Sequence, residues 1–377
     1  MAEAPGRSSL GALKLWNFRN YEALRLDLDA RPVVLFGPNG AGKTNLLEAV
    51  SFLAPGRGLR RAMLAEVARA ASDGAWAVAA EIVGRLGPAT IGTGLVRGEV
   101  AQRRIRINGA TARTSEALAE HLGVLWLTPA MDGLFTGPAS DRRRFVDRLV
   151  LNLDGAHPGR VGAYERALRQ RNRLLEEGSE PALLDAVEAQ VAEIGTAVAA
   201  ARREAVARLR GLIAAGGDPG PFPTADVRLE GVVENLFDAC SAVAAEDRFR
   251  ALLRDSRARD RAAGRTLEGP HRTDLQVAHA EKGMPAERAS TGEQKALLIG
   301  LVLAEARLVT KLTGFTPVLL LDEVAAHLDS ERRAALYETL IGLGAQAWLT
   351  GTDAAAFTPL DDRAQRFVVQ ERRVEPV

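Results

Sequence analysis

One stretch of the sequence combines glycines, a lysine and a threonine at spacings that suit phosphate chemistry. It consists of Gly37, Pro38, Asn39, Gly40, Ala41, Gly42, Lys43 and Thr44. Glycines let the backbone curl so that its N–H groups point at phosphate oxygens, and the N-terminus of a following helix adds further donors. In such a P-loop the lysine reaches the β- and γ-phosphates, and the threonine hydroxyl binds Mg²⁺. We therefore predict that this stretch binds a nucleoside triphosphate.

The segments on both sides of this stretch have the patterns that a P-loop needs. Residues 32–36 are an apolar run that predicts a buried strand, and residues 45–50 have the apolar spacing of a helix. A glycine-rich turn without a ligand is the alternative. The Lys-Thr pair at the start of the helix favours nucleotide binding.

An acidic pair follows a second apolar run. Residues 316–321 predict a buried strand, and Asp322 and Glu323 come directly after it. P-loop chemistry needs a carboxylate at Mg²⁺ and a group that polarises the attacking water. We assign Asp322 to the metal and Glu323, together with Lys43, to catalysis. Taken alone, two acids at a strand end would fit an ordinary solvent-facing terminus equally well.

A third motif, Ser-Thr-Gly-Glu-Gln at residues 290–294, begins a long apolar helix. A hydroxyl and free N–H groups at a helix start form an anion site. Since the P-loop already serves the chain's own nucleotide, we predict that Ser290 and Gly292 contact the nucleotide of a second subunit. A capping box between Ser290 and Glu293 is the structural alternative, and both can hold together.

The bulk composition narrows the class of protein. The 377 residues are 47% hydrophobic and 26% charged, which predicts two or three globular domains. Cys240 is the only cysteine, so the sequence excludes an intrachain disulfide and fits a reducing cytoplasm. No apolar run is long enough to span a bilayer, and we expect no membrane partner. The net charge of +1 does not indicate nucleic acid, although clustered arginines could form a phosphate-binding face.

Strand-like and helical segments divide the chain into three parts. Residues 1–128 are rich in predicted strands, and strand character returns from about residue 265, so we predict one α/β lobe formed by 1–128 and 265–377. Residues 129–264 predict an inserted helical lobe whose first helix is capped by Ser140. A short heptad seam and a turn near residues 178–181 predict an antiparallel helix pair, and glycines and prolines at 216–221 end it. The seam consists of Leu184, Val187, Val191, Ile194, Val198 and Ala201.

Together these motifs, with His327-Leu328-Asp329 after the acidic pair, resemble the ABC-type ATPase heads of the SMC and recombinational-repair group. Further stretches make the resemblance specific to bacterial recombination mediators within that group. These stretches are residues 17–21, 55–60, 137–143, 269–274 and 289–295. They span nearly the whole chain in the right order, whereas the helical lobe matches in type and length more than in motif.

The resemblance implies an α/β fold of the P-loop ABC type, with mixed sheets around the P-loop helix and an inserted helical lobe. It implies ATP and Mg²⁺ as cofactors and a weak, DNA-stimulated ATPase that works as a switch. ATP would drive head-to-tail homodimerisation on single-stranded, gapped or duplex DNA, and slow hydrolysis would reset it. With a RecR-type mediator as partner, the protein would support recombinase loading, replication restart and the SOS response. Arg19 and Asn20 would lie near the nucleotide, and Asp329 would line the dimer seam.

Two features depart from the ABC ATPase pattern. Transporters of this class carry a histidine after the strand that follows the acidic pair, whereas residues 350–353 here read Thr-Gly-Thr-Asp. The usual metal-sensing glutamine is also not evident near Thr128 and Pro129. Both departures suit a switch better than an enzyme of high turnover.

Other functions are left open as alternatives. An ABC transporter ATPase subunit is the main one, but the missing histidine and the long helical lobe count against it. A scaffold with a spent ATPase is a weaker one, because the P-loop lysine and the acidic pair are intact. A G protein is disfavoured, since no Asn-Lys-x-Asp motif for guanine occurs.

Overall fold

The computed structural model describes residues 5–96, 102–216 and 221–377, apart from the side chains at 326 and 327. The His327 side chain and most of the predicted break at 216–221 therefore lie outside the described residues. The chain divides into two compact units. The first comprises Met1–Asp132, Asp218–Pro223 and Ser290–Val377, and the second comprises Gly133–Gly217 and Thr224–Ala289.

The strands of the described residues are numbered in chain order. They are β1 (Gly6–Arg7), β2 (Ser9–Phe18), β3 (Tyr21–Asp27), β4 (Val33–Phe36), β5 (Trp76–Gly84), β6 (Gly87–Leu95), β7 (Arg104–Ile107), β8 (Ala110–Thr111), β9 (Val124–Leu127), β10 (Ala225–Glu230), β11 (Asp274–His279), β12 (Met284–Pro285), β13 (Phe315–Thr316), β14 (Val318–Leu321), β15 (Ala347–Gly351), β16 (Gln365–Gln370) and β17 (Arg373–Pro376).

The α-helices are numbered in the same way. They are α1 (Lys43–Ser51), α2 (Ala117–His121), α3 (Ala139–Leu153), α4 (His157–Glu177), α5 (Pro181–Ala215), α6 (Val232–Leu236), α7 (Ala242–Asp255), α8 (Arg257–Ala263), α9 (Thr291–Thr313) and α10 (Ser330–Gly342). None of these helices combines the length and the apolar character that a membrane crossing needs.

A sheet of six strands in the order β17-β16-β4-β15-β14-β9 forms the centre of the first unit. All neighbours pair in parallel except β16 and β17. Strands β4, β9 and β14 are nearly continuous apolar runs, mostly buried valine and leucine, as strands covered on both faces should be. Ligands of such sheets bind beyond the carboxyl ends of the strands, and the P-loop and the acidic pair both lie there.

A second, antiparallel sheet in the order β3-β2-β5-β6-β7-β8 belongs to the same unit. Its apolar residues share one core cluster with those of α1. Within that cluster the rings of Phe18, Phe52 and Trp76 meet at tilted or edge angles, with centroids 5.1–6.0 Å apart. Such ring contacts add to the stabilisation from burial. The predicted α/β class with mixed sheets around the P-loop helix is thus confirmed.

The second unit contains the predicted helix pair. Helices α4 and α5 are joined by a short turn in which Gly178 is left-handed, at φ 69°. Their contact includes the guanidinium of Arg171, fully buried, which donates to Glu188 and Asp260 at 3.0 and 2.7 Å. A buried cation needs such partners, because an unpaired buried charge is strongly destabilising.

Three details of this unit differ from the sequence predictions. Strand β10 lies within the segment predicted to be helical, although its apolar and polar residues alternate. It pairs with β11 in antiparallel fashion, so residues 265–289 belong to this unit rather than to the α/β lobe. Helix α3 begins at Ala139 with Pro138 before it, and Ser140 therefore lies in the first turn instead of capping it.

Candidate nucleotide-binding site

The P-loop connects the end of β4 to the start of α1 and depends on glycine for its shape. Gly37, Gly40 and Gly42 have φ values of 149°, 78° and 116°. Only glycine adopts such values without strain. A Cβ on Gly37 would lie 2.1 Å from the Val369 carbonyl oxygen, and one on Gly42 would lie 2.5 Å from Asn20 Nδ2. The predicted loop is therefore tightly packed at both ends, while Pro38, Asn39 and Gly40 form its exposed tip.

Lys43 is buried inside the curve of this loop. Its Nζ donates to the carbonyl oxygens of Gly37 and Pro38 at 2.7 and 2.8 Å. Burial lowers the pKa of Lys43, and the carboxylates of Glu323 and Asp322 oppose that shift. The ammonium group is thus held at the loop backbone and within the electrostatic influence of the acidic pair.

Two threonine hydroxyls converge on one oxygen of Asp322. Thr44 Oγ1 donates to Asp322 Oδ1 at 2.9 Å, and Thr350 Oγ1 donates to the same oxygen at 2.8 Å. The backbone N–H of Asp322 is held by the Leu127 carbonyl at 2.9 Å. The two residues predicted to bind Mg²⁺ therefore lie side by side, although they are 278 positions apart.

This pair of side chains fits the metal ion that P-loop chemistry implies. Mg²⁺ takes oxygen ligands, commonly one or two carboxylates together with phosphate oxygens. Thr44 and Asp322 supply a hydroxyl and a carboxylate at the foot of the P-loop. The donor set is therefore of the right chemical type.

Glu323 has a strained backbone. Its φ of 54° and ψ of 20° place it in the left-handed region, which residues other than glycine adopt at a cost. Its N–H donates to Thr350 Oγ1 at 2.8 Å. The predicted catalytic glutamate is thus fixed at its backbone by the neighbouring strand.

Asn20 and Arg19 contact the P-loop region in different ways. Asn20 Nδ2 donates to the Ala41 carbonyl at 3.1 Å, and Asn20 Oδ1 accepts from Asn45 Nδ2 at 2.7 Å. Arg19 instead pairs with Glu48 on α1. Asn20 therefore touches the loop itself, while Arg19 braces the helix that follows it.

Ser290 and Asp329 are both helix caps. Ser290 Oγ accepts from the Glu293 N–H at 3.4 Å, and Glu293 Oε2 accepts from the Ser290 N–H at 2.9 Å. The capping box considered as the alternative is thus present, and Gly292 beside it has open space around it. Asp329 Oδ1 accepts from the Arg332 N–H at 2.8 Å at the start of α10. Within the described residues, no hydrogen bond or ion pair joins these residues to the P-loop.

The strand end at residues 350–353, where the transporter pattern has a histidine, is closely packed at Gly351. A Cβ on Gly351 would lie 2.7 Å from the Phe357 ring, so a side chain there would have to displace it. The preceding residue, Thr350, makes the polar contacts at this strand end. Sequence reasoning noticed this stretch only as a departure and missed the role of its hydroxyl. It also missed Asn45 and Glu48, which contact Asn20 and Arg19. The only sequence signal was that both polar residues lie in the helix directly after the P-loop.

Comparison with known proteins agrees with this geometry. The family described as the RecF/RecN/SMC N terminal domain matches residues 9–372. The DNA replication and repair protein RecF of Rhizobium leguminosarum bv. trifolii is 55% identical over 372 residues, covering 98% of this chain and 99% of that protein. The RecF of Mesorhizobium japonicum is 56% identical over 374 residues, covering 99% of each chain.

Solved structures share the fold. The recombination mediator protein RecF-ATPrS in the RecFOR pathway has a TM-score of 0.86 at 21% identity and covers 100% of both chains. An Smc head bound to the C-winged helix domain of ScpA has a TM-score of 0.55 at 15% identity, covering 98% of this chain and 96% of that one. The resemblance to the SMC and recombinational-repair group is confirmed, and the transporter alternative is not favoured. The chain belongs to the RecF family of DNA replication and repair proteins.

Proposed function

We propose that this chain is an ATP-binding recombination and repair protein that dimerises on DNA and is reset by slow hydrolysis. The observation that carries the proposal is the 2.9 Å contact between Thr44 and Asp322. It unites a P-loop with the carboxylate that nucleoside triphosphate chemistry needs. Relatives solved as RecF-ATP and RecF-ATPrS support ATP as the nucleotide.

Each residue of the site has a proposed task. The P-loop, residues 37–44, binds phosphate oxygens through its backbone N–H groups, which Pro38 lacks, and through the Lys43 ammonium, and Thr44 and Asp322 hold Mg²⁺. When bound, the metal neutralises charge on the phosphates. Glu323 polarises the attacking water and accepts its proton, and the Thr350 hydroxyl holds its backbone N–H. Asn20 keeps the loop in shape through the Ala41 carbonyl.

The Ser-Thr-Gly-Glu-Gln motif at residues 290–294 has a proposed task in the dimer. Ser290 and Gly292 lie exposed at the start of α9, a helix of 23 residues. Its N-terminal N–H groups and partial positive charge attract an anion. We assign this end to the γ-phosphate held by the partner's P-loop, and Asp329 to the seam between the subunits. A head-to-tail dimer would then bind two ATP molecules.

The biological role follows from the family. We place the protein in the cytoplasm, where it would bind single-stranded, gapped or duplex DNA together with a RecR-type mediator. There it would support recombinase loading, replication restart and the SOS response. DNA would stimulate a weak ATPase, and ATP would in turn raise DNA affinity. If ATP left DNA affinity unchanged across a salt series, this gating would be wrong.

Molar mass tests the central step. The Glu323→Gln protein should bind ATP without hydrolysing it, so light scattering with Mg-ATP should show twice the 40.3 kDa of the monomer. Lys43→Ala is the control that should remain monomeric, because it loses phosphate contacts. If Glu323→Gln binds ATP and remains a monomer, ATP-driven dimerisation is excluded.

A further inference from the structure

The hydroxyl of Thr350 connects the two acidic residues of the site. It donates to Asp322 Oδ1 at 2.8 Å and accepts from the Glu323 N–H at 2.8 Å. A hydroxyl has a single proton to donate, and Thr350 donates it to the Asp322 carboxylate. One side chain therefore fixes the metal-binding residue through its carboxylate and the catalytic residue through its backbone.

The sheet fixes the position of this hydroxyl. Leu349 and Leu321 are paired across β15 and β14, so Thr350 on β15 lies beside Asp322, the first residue after β14. On its other side Thr350 is paired with Leu35 of β4, the strand that leads into the P-loop. Thr350 is 1% exposed, so water does not substitute for its hydrogen bonds. Backbone pairing thus holds the hydroxyl between β4, which leads into the P-loop, and β14, which leads into the acidic pair.

The two hydrogen bonds of the Thr350 hydroxyl each restrain one acidic residue. Asp322 Oδ1 receives hydroxyls from both Thr350 and Thr44, which holds the carboxylate against the P-loop. Glu323 adopts a left-handed conformation, which persists only where surrounding contacts impose it. The bond from its N–H to Thr350 is such a contact.

We infer that Thr350 is a positioning residue for the hydrolysis of ATP, acting through Asp322 and Glu323. This inference rests on the proposed function, since it names the residue that arranges the same site. Thr350 lies at the end of β15, where the Phe357 ring packs against Gly351. It takes no part in binding the nucleotide itself.

The test compares three variants. Thr350→Val keeps the shape of the side chain and removes its hydroxyl, while Thr350→Ser keeps the hydroxyl. Thr316→Val is the matched control, because Thr316 is also fully buried and donates to the Leu343 carbonyl at 3.1 Å, away from the acidic pair. The first readout is amide hydrogen exchange at Glu323, measured without nucleotide. The second is the ATPase rate together with ATP affinity.

Thr350→Val should lose exchange protection at Glu323 and about tenfold or more in turnover, because a buried donor and a buried acceptor lose their partner. Its affinity for ATP measured without Mg²⁺ should stay within about twofold, since the P-loop contacts are unchanged. Thr350→Ser should restore both protection and turnover, and Thr316→Val should alter neither.

Other results would overturn the inference. If Thr350→Val kept full protection at Glu323 and wild-type turnover, Thr350 would not position the acidic pair. If Thr316→Val or Thr350→Ser lost as much as Thr350→Val, the effect would be general destabilisation. A wild-type protein that neither binds nor hydrolyses ATP would overturn the proposed function instead. The exchange measurement needs no nucleotide, so it would still decide whether Thr350 holds Glu323.

Discussion

The guanidinium of Arg19 meets the carboxylate of Glu48 at two points, Nε to Oε2 at 2.8 Å and Nη2 to Oε1 at 2.5 Å. The Glu48 side chain is fully buried in the P-loop helix, and Arg60 Nη1 donates to its Oε2 as well, at 2.9 Å. Two arginines from different loops thus enclose one buried charge. A two-point contact of this kind is specific to arginine.

Removing Arg19 should therefore destabilise the first unit strongly. Arg19→Ala leaves Glu48 buried with half of its partners, and we expect a loss of about 3 kcal/mol in the free energy of unfolding. Urea titration followed by tryptophan fluorescence measures it. Arg25→Ala is the control, because the Arg25–Asp27 pair is exposed and solvent screening should leave it with little effect on stability. Equal losses from the two variants would contradict a structural role for the buried pair.

The P-loop glycines should differ in their tolerance of a methyl group. Gly42→Ala places a Cβ 2.5 Å from Asn20 Nδ2 and 2.7 Å from the Tyr21 hydroxyl, and it strains φ as well. We expect at least about tenfold weaker binding of a fluorescent ATP analogue, since the loop must open to relieve the clash. Gly40→Ala is the matched control: it carries the strain without the clash, because no atom lies within 4 Å of its Cβ. If Gly40→Ala bound the ATP analogue as weakly as Gly42→Ala, backbone strain alone would explain both losses, and the clash at Gly42 would not matter.

Ser290 should act on a partner subunit rather than on its own nucleotide. Ser290→Arg blocks the exposed start of α9, so ATP should still bind each monomer while Mg-ATP no longer doubles the mass. The same change also removes a helix cap, which costs about 1 kcal/mol. Ser241→Arg controls for that, because Ser241 caps α7 through the Ala244 N–H. If Ser290→Arg abolished ATP binding by the monomer, residues 290–294 would contact the nucleotide of their own subunit.

Local chemistry explains which features could be predicted from the sequence. The P-loop glycines, the Ser290 capping box and the turn at Gly178 depend on neighbours within a few residues, so their patterns are visible in the sequence. Thr44 and Asp322 could both be assigned to one metal ion because phosphate chemistry demands both groups, and the direct contact between them appears only in the structure. By contrast, the Thr350 bridge depends on strand register, which the sequence does not display.

Strand β10 shows a different kind of error. Its residues alternate in burial, with Val227 inside and Arg228 exposed, as a half-buried strand requires. The alternation lasts six residues between long segments rich in alanine and arginine, and those segments favoured a helix. Its partner β11 lies about 50 positions further along the chain, so no local turn signal marked the pairing. Tertiary pairing decided the outcome where local preference was weak.

His271 should make the second unit lose stability in mild acid. The Tyr164 hydroxyl contacts His271 Nδ1 at 2.8 Å, and His271 Nε2 contacts the Thr266 carbonyl at 3.0 Å. A carbonyl only accepts, so Nε2 carries the proton and Nδ1 accepts from the tyrosine. This arrangement satisfies the neutral ring. Burial lowers the pKa of His271 to about 4, although the Thr266 contact opposes the shift.

The sign of the effect follows from linkage. The unfolded chain protonates His271 near pH 6.5, whereas the folded protein does so only near pH 4. Stability is therefore fully present above pH 6.5 and declines as the pH falls towards 4, by about 3 kcal/mol at most. His271→Asn, which cannot titrate, should be less stable than wild type at pH 8, and the difference should shrink at pH 5.

The measurement has to report on the second unit alone. The four tryptophans, Trp16, Trp76, Trp126 and Trp348, all belong to the first unit. Helical circular dichroism would also report on α9 and α10 of the first unit, so hydrogen exchange at the amides of α4 and α5 in urea follows the second unit. Tryptophan fluorescence follows the first unit and serves as the internal control. His121→Asn, in the first unit, is the matched variant. If the difference between wild type and His271→Asn were the same at pH 8 and pH 5, burial of a neutral histidine would not explain the acid sensitivity.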